Sequence, residues 1–224
     1  MGGSNRRAES ATERAYAHTK ARILDGTYPG GELITEGAVA EAVGVSRTPV
    51  REAFLRLESE LLLRLYPKRG ALVVPVSARE IDDVIETRQM IERHAIDKII
   101  ATGHHPEVAE TLRAAVARQA RLLGSAAQFT ARDRDFHGML VDATGNALLT
   151  RIYNGLRDRQ LRMGVTALAY DPRRADEIID EHRFLADAIA AGDRDTALDC
   201  ITRHLEGTEL ILRKGRKLAS PDHA

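Results

Sequence analysis

The sequence predicts a mainly α protein in two parts: a small N-terminal winged helix-turn-helix, then a larger all-α antiparallel helix bundle. Three observations carry this. Two short helical stretches meet at Gly44, immediately ahead of the one strand-like stretch, residues 60–75. After Val76, Ala, Leu, Ile, Arg and Glu recur at helical spacings. The breaks in that region, at Gly103, Gly124, Gly145 and Gly192 among others, are short, so successive helices should pack antiparallel.

Taken in order, residues 1–10 read as a disordered tail. Ala11–Leu24 reads as a helix with Ala17, Ala21 and Leu24 on its inner side, ended by Asp25-Gly26. Tyr28-Pro29-Gly30-Gly31 is turn chemistry. Thr35 caps a short helix with apolar Val39, Ala42 and Val43, and Gly44 breaks it. Ser46 caps a second helix to about Ser59, whose inner face is Val50, Phe54 (or Ala53) and Leu57; Pro49 falls in its first turn, where a missing N–H costs little. Two helices joined by a tight Gly-containing turn make a helix-turn-helix. Leu62–Leu65 and Ala71–Val76 can pair as a hairpin with Pro67-Lys68-Arg69-Gly70 at its tip.

That places the DNA-binding part at residues 11–76 and a helical part at 77–218, with 219–224 as a frayed tail. Ser77 with Glu80 matches a capping box opening the second part. Six helices are expected there, over about 78–101, 106–123, 131–143, 147–167, 172–190 and 194–217.

Composition excludes several classes. Of 224 residues, 43% are hydrophobic and 29% charged, an ordinary globular balance that argues against disorder. No apolar run reaches the ~18–20 residues of a membrane span, and Met1–Arg14 lacks the apolar core of a secretory signal. Cys200 is the single cysteine, so no disulfide framework exists and a reducing cytoplasm is expected. The 33 basic and 33 acidic residues cancel, but not locally. Gly44–Gly70 holds six basic residues against three acidic ones, whereas residues 76–224 carry a balance of −2.

The basic segment suits double-stranded DNA. The start of a recognition helix enters the major groove, and here it presents Ser46, Arg47, Thr48 and Arg51. Arg pairs bidentately with guanine, Ser and Thr hydroxyls reach phosphate or bases, and free N–H groups at the helix start favour phosphate. Lys68 and Arg69 on a wing tip would reach backbone or a neighbouring groove.

In the bundle, Asp133 and His137 are i, i+4 and share a helix face. His182 is in register with Ile178, Leu185 and Ile189, and His204 with Ile201, Thr208 and Ile211. Imidazoles on apolar faces need partners once buried. They are either satisfied core histidines or, brought together with Asp133, ligands for zinc, nickel or a related divalent metal.

The run Val39-Ala-Glu-Ala-Val-Gly-Val-Ser-Arg-Thr-Pro-Val-Arg-Glu-Ala-Phe-Leu-Arg-Leu-Glu58 resembles the signature of the GntR family of bacterial transcription regulators, and Pro67–Gly70 resembles its wing tip. The resemblance implies that Ser46, Arg47, Thr48, Arg51 and Gly70 contact DNA. Two positions depart from it. Gly37 stands where relatives often carry a DNA-contacting Arg, and Leu61-Leu62-Leu63 replaces a usual Gly-Leu-Val.

Asp133-Arg-Asp-Phe-His137, then Gly145-Asn146, Glu181-His182 and His204, resemble the FadR-type (FCD) ligand-binding domain in its six-helix, VanR-like form. That implies Asp133, His137, His182 and His204 as metal ligands, with zinc the first choice and nickel or another transition metal an alternative. Asp135 competes with Asp133 but points to another face. Arg88 resembles a pocket-facing position that could clamp a carboxylate, or it pairs with Glu92 at i+4. Asn146 is a second effector-binding candidate, or a turn residue.

The implied protein is a cytoplasmic, metal-containing homodimer with no membrane partner and no catalytic residues. It would be a repressor that a small carboxylate effector releases from a pseudo-palindromic operator. Two alternatives remain: a metal-dependent enzyme acting on a small acid, and a regulator whose metal is purely structural.

Overall fold

The computed structural model describes residues 9–219. Most of both expected tails falls outside that range. Within it, Ser10 caps the first helix, its Oγ accepting from Glu13 N at 3.1 Å, and Ala219 ends the last. The chain divides into two compact units, residues 1–75 and 76–224. No helix among the described residues is long and apolar enough to cross a membrane.

The first unit runs α1 (Ala11–Leu24), β1 (Leu33–Ile34), α2 (Glu36–Val43), α3 (Arg47–Ser59), β2 (Leu63–Tyr66) and β3 (Gly70–Val73). Thr35 Oγ1 caps α2 by accepting from Ala38 N at 3.2 Å, and Gly44 closes it with φ +70°. The unit's core gathers Tyr16, Ile23, Val39, Val50, Phe54, Leu57, Leu63 and Val73.

Three expectations change here. On α2, Ala42 is exposed and Ala40 joins Val39 in the core instead. The buried side of α1 is Ala15, Tyr16, Thr19 and Ile23, while Ala17 and Ala21 face solvent. Tyr16 and Ile23 remove more apolar surface from water than the alanines could, and that sets the helix rotation. The hairpin also gains a third strand. Leu33 pairs with Leu72 and Ile34 with Ala71, giving the order β1-β3-β2. Gly70 stands at φ +117°, and a Cβ there would overlap the Ile34 carbonyl oxygen. A glycine is what lets the wing close against β1.

The second unit is helical: α4 (Ala78–Ala101), α5 (His105–Gln119), a 3₁₀ turn (Ala120–Leu122), α6 (Ala126–Asp142), α7 (Ala147–Asn154), α8 (Arg157–Tyr170), α9 (Arg174–Ala190) and α10 (Arg194–Ala219). Ser77 Oγ caps α4 through Glu80 N at 3.0 Å. α10 packs on α4, α8 and α9, and α6 on α5 and α8. Ile81, Ile96, Leu112, Phe136, Leu140, Leu185, Ile189 and Leu205 form its fully buried centre.

Among the described residues, seven α-helices replace the six expected. The fourth, expected over 147–167, divides at Gly155-Leu156, where Leu156 N bonds to Tyr153 O and the helix tightens and ends. Tyr153 on α7 packs with Ile91 and Val141, while Met163 and Leu168 on α8 enter the main core. Two separate apolar destinations require two helix axes.

Candidate functional site

α6, α9 and α10 bring the three predicted histidines to one point. His137 and His182 are fully buried, His204 nearly so, and Asp133 is partly buried. One ligand atom from each of these four side chains lies within 4.8 Å of the others. Nε2 of His137 is 3.0 Å from Nε2 of His204 and 3.2 Å from Nε2 of His182. Asp133 Oδ1 is 3.5 Å from His182 Nε2, and Oδ2 is 3.9 Å from His137 Nε2.

The opposite edges of the rings explain the orientation. His137 Nδ1 donates to Glu92 Oε2 at 2.8 Å, His204 Nδ1 to Glu181 Oε2 at 2.7 Å and His182 Nδ1 to Gln119 Oε1 at 3.0 Å. Gln119 uses its Nε2 to donate to Asp133 Oδ1 at 3.3 Å, which leaves its oxygen as the acceptor for His182. Carboxylate and amide oxygens only accept, so each Nδ1 carries a proton, and in a neutral ring the Nε2 presents a lone pair. Three Nε2 atoms thus converge on one point. Burial, followed by the neighbouring imidazoles and the Arg88 and Arg174 charges, holds His182 well below the usual imidazole range. Burial likewise holds His204 down, followed by His137 and the same two arginines. Neutral imidazoles facing one another beside a carboxylate fit a divalent cation. The Nδ1 partners are the outer hydrogen bonds that metal-bound histidines ordinarily make.

Glu92 organises the surroundings. It is fully buried, accepts from Tyr153 OH at 2.7 Å and pairs with Arg88 Nε at 2.7 Å. Burial alone would raise its carboxyl; Arg88, then His137 and Tyr153, outweigh that and keep it ionised. Arg88 thus makes the ion pair, but in the interior rather than on the surface. It also lines a small cavity of about 20 Å³ with Asp133, Thr130, Gln160 and Arg174. Asn146 is placed elsewhere. It is exposed, does not line this cavity, and caps α7 by accepting from Leu148 N and Leu149 N at 3.1 and 3.2 Å. Asn146 thus makes the contacts of a helix-capping turn residue. Asp135 points outward to Arg132 at 2.9 Å, leaving Asp133 as the inner carboxylate.

Sequence reasoning missed Gln119, Tyr153, Gln160 and Arg174, and named Glu92 and Glu181 only in passing. Arg174 is buried, donates to both oxygens of Glu181 at 2.6 and 2.8 Å, and reaches the His204 carbonyl at 2.8 Å. The local signals for this layer were the adjacency of Glu181 and His182 and the i, i+4 spacing of Arg88 and Glu92.

The first unit carries a second site. Arg47, Arg51, Lys68, Arg69 and Gly70 line one surface groove of about 760 Å³ between the start of α3 and the wing. Ser46, Arg47 and Thr48 are exposed, and the Ser46 side chain makes no capping bond, so its hydroxyl is available. The Arg47 guanidinium lies over Gly37, 3.5 Å from where a Cβ would be, so it occupies space that a side chain at position 37 would use. Arg51 makes two hydrogen bonds to Glu36, at 2.9 and 3.3 Å.

Comparison with known proteins agrees with both halves. The family profile for bacterial regulatory proteins of the gntR family matches residues 11–73, and that of the FCD domain matches residues 83–207. A Paenarthrobacter nicotinovorans protein named "Probable D-xylose utilization operon transcriptional repressor" is 30% identical over 82% of this chain and 80% of its own. The gluconate operon transcriptional repressor of Bacillus subtilis is 23% identical over 91% of this chain and 85% of its own. Among solved structures, E. coli McbR/YncC superposes with a TM-score of 0.68 at 23% identity, covering 92% of this chain and 99% of that one.

Proposed function

The chain belongs to the GntR family of bacterial regulatory proteins and carries an FCD domain, and from that premise we propose a metal-containing repressor released from its operator by a small carboxylate. It is a DNA-binding transcription regulator of the GntR type. The finer reading is as follows. Two copies form a homodimer in the cytoplasm and bind a pseudo-palindromic operator. Arg47 and Thr48, with Ser46, enter the major groove; Arg51, Lys68, Arg69 and the Gly70 backbone hold phosphates. The names of two relatives as operon repressors support repression over activation.

Asp133, His137, His182 and His204 would hold the metal, zinc first and nickel or another transition metal as alternatives. When bound, the ion would supply positive charge at the converging lone pairs, which would attract an anion. Glu92, Gln119 and Glu181 keep each imidazole in the tautomer that faces inward. Arg88 and Arg174, on the wall of the adjoining cavity, offer the charge that orients an effector carboxylate. The effector acts only if it binds the DNA-incompetent state more tightly than the competent one.

The convergence of three Nε2 atoms beside Asp133, next to a cavity with two arginines on its wall, is the observation that carries this reading. It is tested by titrating metal-loaded full-length protein on operator DNA while adding small carboxylates. Release at saturating acid supports it. If operator affinity and the metal's spectrum both stay unchanged, the metal is structural only. Arg47→Ala should abolish site-specific footprinting and keep the metal.

A further inference from the structure

We propose that a surface cavity between α6 and α8, separate from the histidine cluster, binds a small phosphate monoester through Arg132, Arg134 and Arg157. It depends on neither the metal nor the carboxylate effector.

The cavity holds about 440 Å³, within the size range of small-molecule sites. Helix register builds it. Gln128, Ala131, Arg132 and Asp135 recur at i, i+3, i+4 and i+7 on α6, and Arg157 and Leu161 stand one turn apart on α8. Neither Asp133 nor any of the three clustered histidines lines it.

Three guanidiniums share this wall with one carboxylate among the described residues, which leaves a local balance of +2. Asp135 serves two of them: its oxygens lie 2.9 Å from Arg132 Nη1 and 3.6 Å from Arg134 Nη1. Arg157 has the adjacent Asp158 at 3.8 Å. The Arg132 and Arg157 side chains are more than half exposed, so these pairs are weak and an anion displaces them easily. Arg134 is held more firmly. Its side chain is 15% exposed and its Nη2 donates to Asn154 Oδ1. Its Nε is buried and has no hydrogen-bond partner among the described residues. A buried donor is ordinarily paired, so this N–H calls for an acceptor from outside the chain. Like charges around a concave wall also focus positive potential inside it.

The charge balance selects the anion. A phosphate monoester carries about −1.5 to −2 at pH 7 on three acceptor oxygens, so it matches the balance and accepts from all three guanidiniums. A monocarboxylate or a phosphodiester brings a single charge and neutralises about half of it. Leu122 and Leu161 give an apolar wall for the organic body of the ester, and the Gln128 amide can both donate and accept.

The test is calorimetric titration of full-length protein with phenyl phosphate, glycerol 3-phosphate, phenyl sulfate and inorganic phosphate. We expect one of the two phosphate esters to bind at least ~10-fold tighter than phenyl sulfate, which carries a single charge, and than inorganic phosphate, which has no organic body. Arg132→Gln and Arg157→Gln, at exposed positions where folding should be unaffected, should each weaken that ester ~10-fold or more through loss of a charge-assisted hydrogen bond. His182→Ala should bind the ester as the parent does.

Phenyl sulfate or inorganic phosphate binding as tightly as the esters would mean an adventitious ion only, and would overturn the inference. Ester binding that survives both arginine substitutions, or is lost in His182→Ala alone, would place the anion elsewhere and overturn it as well. Binding of neither ester would also overturn it. The arginines would then hold DNA backbone if the two variants weaken operator binding and lower its salt slope, and form a solvated face if they do not. Each of these outcomes leaves the carboxylate reading intact.

Discussion

Nε2 of His137 and Nε2 of His204 lie 3.0 Å apart, and both rings give their Nδ1–H to carboxylates on the far side, Glu92 and Glu181. Without a cation, that arrangement survives only while the imidazoles stay neutral. Burial first, then neighbouring imidazoles and arginines, keeps His182 and His204 neutral well below the usual range. In the unfolded chain they titrate near pH ~6.5. Below that pH the unfolded state binds more protons than the folded one, so stability falls as pH falls. Metal-stripped protein should lose stability between pH 7 and 5.5, because rings that stay neutral in the fold take up protons only in the unfolded chain. Urea unfolding at both values measures it; equal midpoints would show that these rings do not control acid stability.

Glu92 joins Arg88, Tyr153 and His137 in the interior. Glu92→Gln leaves the Arg88 charge buried without its counter-charge, which costs about 3–5 kcal/mol. It also weakens the support for His137, lowering metal affinity ~10–100-fold. Glu181 is about one-third exposed, at 32%, so Glu181→Gln should lower metal affinity with a smaller loss of stability. Denaturation and competition against a chelator separate the two effects. Equal stability losses in both variants would contradict the ranking.

Arg51 is paired with Glu36 on the surface, its side chain 69% exposed. Such a pair contributes ~0–1 kcal/mol, so DNA phosphate should displace it easily. Glu36→Gln should raise operator affinity up to ~5-fold by freeing Arg51. Arg51→Ala should weaken binding and reduce the slope of log K against log salt by about 1. Fluorescence anisotropy over a salt series reads both. A weaker Glu36→Gln complex would show that Glu36 supports the interface.

Gly70 was expected as a DNA contact, and the fold gives it a steric duty as well. Its φ of +117° and its approach to the Ile34 carbonyl oxygen leave no room for a side chain. Gly70→Ala should destabilise the first unit by about 2 kcal/mol or more, with the second unit's metal content unchanged. Limited proteolysis and thermal melts follow this. A variant with wild-type stability would mean that the wing relaxes without penalty.

The parts legible in the sequence were those with local signals. Thr35, Gly44 and Pro67–Gly70 mark the helix-turn-helix and wing through caps and turns, and the chain folds accordingly; Ser46 precedes α3 as expected but its side chain makes no capping bond. β1 escaped because two residues carry no periodicity. The α7–α8 break escaped because the pattern is continuous across Gly155; Tyr153 and Met163 enter different clusters, which only the folded chain reveals. Helix register put Asp133, His137, His182 and His204 on inner faces, and the resemblance to the FCD domain singled them out as one set. Their supports were not legible, because Glu92, Gln119 and Glu181 meet them across 45, 63 and 23 residues. Gln160 reads as an ordinary polar residue until its burial is known.

The central claim is that these four side chains hold one divalent ion. Elemental analysis of purified full-length protein and of His182→Ala, both after reloading with zinc or nickel and removal of free metal, tests it most directly. About one ion per chain is expected in the parent and almost none in the variant. Equal metal content in both, or none in the parent, would contradict it.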